Sequence, residues 1–197
     1  MFLLHLTISL IVTYVITSLI EYMVHKHPMH SPRLAKLFKS HSLEEAYKNH
    51  ASLHHNKYYS TFTHENDAEG RKIGIPVGVP NTIIVLGPII FLFYFIDPLT
   101  SFTLLLLAIA HNIAWTAMHQ AMHDKESAAW WTKTSYFLYL KRYHFLHHRQ
   151  QGKNFNAMLP LWDWILGTHA TARKSDELEM ATLWRVRQPK SERKQNG

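Results

Sequence analysis

Any chemistry in this sequence has to be built around histidine: the 197 residues include 16 histidines and no cysteine. The lack of thiols excludes disulfides, iron–sulfur ligation and a cysteine nucleophile, so a tightly held transition metal must rest on imidazole and carboxylate. Neutral imidazole is the commonest protein ligand for such ions. The histidines are also grouped: HKHPMH runs from His25 to His30, HASLHH from His50 to His55, HQAMH from His119 to His123, and HFLHH from His144 to His148. Residues three or four apart share one face of a helix. His50 with His54, His119 with His123, and His144 with His147 and His148 are therefore each expected to aim imidazoles at one point. The candidate ligands are His25, His30, His50, His54, His55, His119, His123, His144, His147 and His148. One ion takes about four to six groups, so this set predicts two metals. His27, His41, His64 and His169 lie outside the pattern and read as incidental or supporting residues.

Elements that bring these groups together must cross a membrane. No Lys or Arg occurs before Lys26 or between Lys72 and Lys125, and both intervals are strongly apolar. A formal charge of +7 would suit nucleic acid, but this segregation is the pattern of spans with basic flanks on one side, and no nucleic-acid partner is expected. FLLHLTISLIVTYVITSLI at 2–20 is long enough to cross about 30 Å of hydrocarbon. It reads as a retained span, because no basic region precedes it and Glu21 and His25 follow in place of a small-residue cleavage site. A second apolar block, broken by Asp97-Pro98, predicts a helical hairpin, with Pro76, Pro80 and Pro88 kinking its first arm.

The expected fold is thus all-α: one multi-pass membrane bundle over 1–197 with about three spans, 2–22, 74–96 and 99–119. A cytoplasmic helical cap covers 25–72 and 124–185, and 186–197 is a frayed tail. Trp130, Trp131, Trp162 and Trp164 suit the membrane–water boundary. On this topology all four histidine groups converge at one membrane face. His5 lies roughly 30 Å from His25 along a helix and cannot share its metal, so it reads as a lone polar residue of the bundle. His111 lies about 12 Å deeper than His119, and with Asn112 it is a candidate for lining a substrate channel.

In order and spacing the four groups resemble the histidine boxes of the fatty acid hydroxylase superfamily, which includes sterol desaturases and fatty acid 2-hydroxylases. The matching residues are His25 and His30 after an apolar span, then His50, His54 and His55, then His119 and His123, then His144, His147 and His148. NFNAMLPLWDWILGTH resembles the closing signature, with Asn154 or Asn156, Trp162-Asp163 and Gly167-Thr168. The second box departs from the usual HxxHH by one extra residue, and three spans stand where many members have four. The resemblance implies two iron ions, replaceable by zinc in preparations, with O2 as co-substrate and an acyl chain or other apolar lipid as substrate. It also implies a separate electron donor of the reductase, ferredoxin or cytochrome b5 type, since no haem or flavin domain is expected in the remaining residues. Asp163 is expected to orient a ligand ring or cap a helix, and Asn156 to support the site. Hydroxylation is the first expectation and desaturation on the same centre the nearest alternative; a histidine-rich metal transporter is the competitor from another class. The expected location is a bacterial inner membrane with a cytoplasmic active site, or else the endoplasmic reticulum.

Overall fold

A computed structural model describes residues 1–60, 62, 79–124 and 127–184. Every regular element among them is helical. Helix α1 spans Phe2–Val24 and runs directly into a π-helical turn, His25–Met29. Short helices α2 (Arg33–Phe38) and α3 (His41–Tyr47) follow, and α3 passes into a second π-helical stretch, Lys48–Tyr58. Then come α4 (Val79–Ile96), α5 (Pro98–His123), a 3-10 turn at Trp130–Lys133, α6 (Ser135–Arg149), α7 (Leu161–Ile165) and α8 (Lys174–Trp184).

The long helices pack in the manner of membrane helices. The face of α1 that is buried carries Ser9, Thr13, Thr17, Ser18 and Tyr22, and the Ser9 and Thr100 hydroxyls meet at 2.8 Å across the contact with α5. Small and hydroxyl residues let two backbones approach closely. The large apolar side chains point outward: Leu3 is 76 % exposed, Phe95 69 % and Ile113 61 %. Water would penalise that arrangement and hydrocarbon would not. Phe2–Met29 and Pro98–His123 are long and apolar enough to cross a membrane, and the described side chains of α4, Val85–Ile96, are apolar. The break expected at Asp97-Pro98 is present: the Asp97 carboxylate caps α5 by accepting from Leu99 N at 3.2 Å, with Pro98 in the first turn. His5 Nε2 reaches the same carboxylate at 2.8 Å and ties the start of α1 to this corner. Of the three prolines expected to kink the first arm, Pro80 falls in the first turn of α4, Pro88 lies inside it, and Pro76 falls outside the described residues.

The cap is anchored to α1 through the loop between α6 and α7. The Trp162 indole donates to Val15 O at 3.2 Å, and Asn156 Nδ2 donates to Ser18 O at 2.9 Å. Trp130 and Trp164 are exposed, while Trp131 and Trp162 are half-buried.

Candidate metal centre

The ten candidate histidines meet in one place, at the end of α1 and α5 where the cap sits. They sort into two adjoining groups. His25, His30, His50, His55 and His147 offer ring nitrogens that all lie within 4.8 Å of one another, and so do His54, His123, His144 and His148. His119 borders the second group, its ring 4.6 Å from His144, 4.7 Å from His54 and 5.1 Å from His123. HQAMH and HFLHH therefore touch, with His123 Nε2 3.0 Å from His144 Nε2.

Backbone geometry explains the sorting and corrects two expectations. His50 and His54 were expected to share a face, as residues four apart do on an α-helix. The Lys48–Tyr58 stretch is π-helical, and its i→i+5 winding brings residues five apart onto one side. His50 thus joins His55, Nε2 to Nε2 at 3.1 Å, and His54 turns to the second group. The π turn at His25–Met29 does the same for His25 and His30, also five apart. HFLHH was expected to aim all three rings at one point. On α6, an ordinary α-helix, His144 and His148 are four apart and face the second group, and His147 faces the first.

Three rings are oriented by backbone carbonyls. His25 Nδ1 bonds Phe155 O, His123 Nδ1 bonds Phe62 O at 2.6 Å, and His147 Nδ1 bonds Lys153 O at 2.6 Å. A ring that donates from Nδ1 presents a bare lone pair at Nε2. In the first group, Nε2 atoms stand 2.9 Å apart for His25 and His50, 3.0 Å for His30 and His147, and 3.1 Å for His30 and His50. These are N–H···N distances that neutral imidazoles can also make to one another, and a shared cation would satisfy several of the converging nitrogens at once. With metal–nitrogen bonds of about 2.1 Å, ligands at right angles stand about 3.0 Å apart and tetrahedral ones about 3.4 Å. The observed spacings fit the right-angled shell. Among the described residues, His54 has neither ring nitrogen hydrogen-bonded, and the buried Nε2 of His119 is also without a partner. The donor set fits two metal ions, and the chain supplies no thiolate for them.

Electrostatics favour the same conclusion. Burial, reinforced by the neighbouring imidazoles, holds His50, His54, His55, His144, His147 and His148 well below the ordinary histidine value, and brings His30 down to about 2. Neutral imidazole is the form that binds metal.

Asp163 acts one step away from the role expected of it. Its fully buried carboxylate touches no histidine ring. It accepts from Phe155 N at 2.9 Å, Asn156 N at 2.7 Å and Thr168 Oγ1 at 2.7 Å, which fixes the loop that carries the carbonyl under His25. Asn154, the residue before Phe155, has a left-handed φ of 57°, a conformation asparagine tolerates better than most residues. Asn156 bonds Ser18 O and Glu21, which locks the loop to α1. The carbonyl anchors Phe62, Lys153 and Phe155 were missed, and a backbone oxygen leaves no mark in sequence. Glu21 was missed too, although a carboxylate at the end of an apolar span was a usable signal.

His111 and Asn112 line a cavity of about 80 Å³ between α1, α4 and α5, together with Thr17, Ile20, Glu21, Val24, Met29, Ala108 and Trp115. His25 forms part of the same wall, so the cavity reaches the first histidine group. Trp115 stacks on His119 at 4.7 Å with ring planes 8° apart, which brings the second group against the same wall. His41 and His169 are exposed and His27 is half-buried; none joins either group, and His64 falls outside the described residues.

No curated protein and no solved structure matches this sequence closely enough to compare. The sequence model of the family described as Fatty acid hydroxylase matches residues 10–168. That stretch contains every one of the ten clustered histidines together with the loop that orients them, and the chain belongs to the fatty acid hydroxylase family.

Proposed function

We propose that this protein is a membrane-embedded oxygenase that uses two iron ions, O2 and electrons from a separate carrier protein to hydroxylate an acyl chain or similarly apolar lipid. One observation carries the proposal: a mostly apolar cavity between helices fit to cross a membrane is walled by a histidine of a paired, metal-competent cluster. Bound there, the ions would supply the activation of O2 and the oxidising power against an unactivated C–H bond.

The chain's own contribution is position and dryness. Ile20, Val24, Met29, Leu86 and Ala108 hold a hydrocarbon segment beside His25 and keep water away from it. The carbonyls of Phe155, Phe62 and Lys153 keep the protons of His25, His123 and His147 on Nδ1, leaving Nε2 free to bind metal. In this reading α4 is a third span, the histidine centre lies on the cytoplasmic side, and the host is a bacterial inner membrane. Asp163 and Asn156 support the site by fixing the Phe155 loop.

Lipid analysis of membranes with the wild-type protein, with His147→Ala and without the protein tests the proposal. A lipid that gains one oxygen with the wild type and not with the variant supports hydroxylation. A loss of two hydrogens selects desaturation instead. Metal accumulation with unchanged lipids overturns the enzymatic reading in favour of transport.

A further inference from the structure

Residues 154–168 leave the histidine centre and return to it as one closed excursion. Its neck is fastened where Asn154 N donates to Thr168 O at 2.9 Å, and left-handed φ angles of 57° at Asn154 and 68° at Gly167 turn the chain on either side. Between these points the excursion descends along α1. Phe155 O meets His25, Ala157 N meets Glu21 Oε1 at 2.6 Å, Asn156 Nδ2 meets Ser18 O at 2.9 Å, and the Trp162 indole meets Val15 O at 3.2 Å. Val15 stands ten residues before His25, about 15 Å along the helix axis. A span needs about 20 residues to cross hydrocarbon, so Trp162 is anchored well inside the stretch of α1 that a bilayer covers. This is deeper than the membrane–water boundary that the sequence suggests for Trp162 and Trp164.

The outer face of the excursion suits hydrocarbon. Met158–Leu166, MLPLWDWIL, holds one ionisable residue, Asp163, whose carboxylate is fully buried and bonded inward. Outward it shows Trp164, Ile165 and Leu166, which are 59 %, 58 % and 48 % exposed. Tyr136, Leu138 and Tyr139 are exposed on the first turns of α6, and the Tyr136 hydroxyl donates to Met158 O, which joins the two apolar surfaces. The backbone is also provided for. Leu161, Trp164, Leu166 and Gly167 donate their N–H groups to carbonyls of the excursion itself, Trp162 N donates to Asn156 Oδ1, and Pro160 has no N–H. Hydrocarbon offers no hydrogen bonds, so a segment that enters it must find partners for its polar backbone within the protein. We propose that Leu159–Leu166 is a re-entrant wedge in the leaflet beside the histidine centre, with lipid acyl chains as the partner that covers Trp164, Ile165 and Leu166. The cap is then not wholly aqueous: the loop whose carbonyl holds His25 is seated on an element steadied by lipid. The inference rests on α1 crossing the bilayer and not on the chemistry of the centre.

Nitroxide labelling of the full-length protein in phosphatidylcholine vesicles tests the wedge, and the lack of native cysteine makes each label unique. Ile165→Cys carries the label on the wedge, Ile11→Cys on the exposed face of α1, and Glu177→Cys on the exposed face of α8. Collisions with O2, which concentrates in hydrocarbon, are compared with collisions with a water-soluble nickel chelate. A label buried in protein meets neither reagent, so frequent O2 collisions with few nickel collisions identify lipid. The O2-to-nickel ratio at Ile165 is expected to match that at Ile11 and to exceed that at Glu177 several-fold. Leu166→Cys is expected to give the same ratio and replaces Ile165→Cys if that variant does not fold. A wedge label that reads like Glu177 while Ile11 reads as lipid overturns the wedge alone. If Ile11 also reads as water, the membrane reading of α1 fails and the wedge falls with it.

Discussion

Replacing Asp163 by asparagine isolates the contribution of the loop that orients His25. The carboxylate is fully buried and accepts three donors, two at Oδ1 and one at Oδ2. Asparagine keeps one oxygen and turns an NH2 group toward an N–H donor, so one buried donor loses its acceptor and the other two bonds lose their charge assistance. At about 1–3 kcal/mol for an orphaned donor and about 0.5–1 kcal/mol for each weakened bond, the expected cost is about 3 kcal/mol. For a chain of this size, that lowers a thermal midpoint by roughly 6–12 °C. The loss is also local. Phe155 O holds His25, whereas His123 of the second group is held by Phe62 O, outside the disturbed loop. Metal affinity of the first group should fall about tenfold to a hundredfold, the usual effect of disturbing a residue that supports a ligand, while the second group keeps its ion. Melting in detergent, together with metal-to-protein ratios measured against a competing chelator, would show both effects. A variant that melts within about 2 °C of the wild type and retains both ions refutes the assigned role of Asp163.

The metal-free protein should lose stability as pH falls below about 6.5. The folded state holds His50, His54, His55, His144, His147 and His148 neutral well below that value, so the unfolded chain binds more protons throughout this window. Unfolding midpoints measured from pH 7.5 down to about pH 5 should fall, and a flat profile would contradict the neutral, buried assignment. His147→Ala should reduce bound metal, while His41→Ala, at an exposed position outside both groups, should leave metal content unchanged in elemental analysis. Ala108→Leu adds volume at a cavity wall residue that is 2 % exposed. It should cost about 1–3 kcal/mol of stability and abolish turnover of long-chain substrates without loss of metal, and unchanged turnover would remove the cavity from the substrate path.

Much of the site was legible because chelation leaves a mark in residue type: imidazoles can be counted, and their ordered spacing relative to the apolar stretches placed them at one membrane face. Their division between two groups was not legible. It depends on whether the backbone around His50 and His54 winds with an i→i+4 or an i→i+5 period, and side-chain spacing assumes the first. Hydroxyl residues such as Ser9 and Thr13 stand inside an apolar run, yet they are buried on α1, where Ser9 meets Thr100 of α5.

Adjacent residues serve different histidine groups at two places in the chain: His54 faces one group and His55 the other, and His148 and His147 divide in the same way. Consecutive Cα atoms are fixed about 3.8 Å apart by covalent geometry. The gap between the two groups is therefore bridged by two single peptide units on separate elements, which limits how far they can part. A protein built this way can change the surfaces around the site while the internal ruler between the two groups stays the same length. Inserting one residue between either adjacent pair would disable both halves of the centre together.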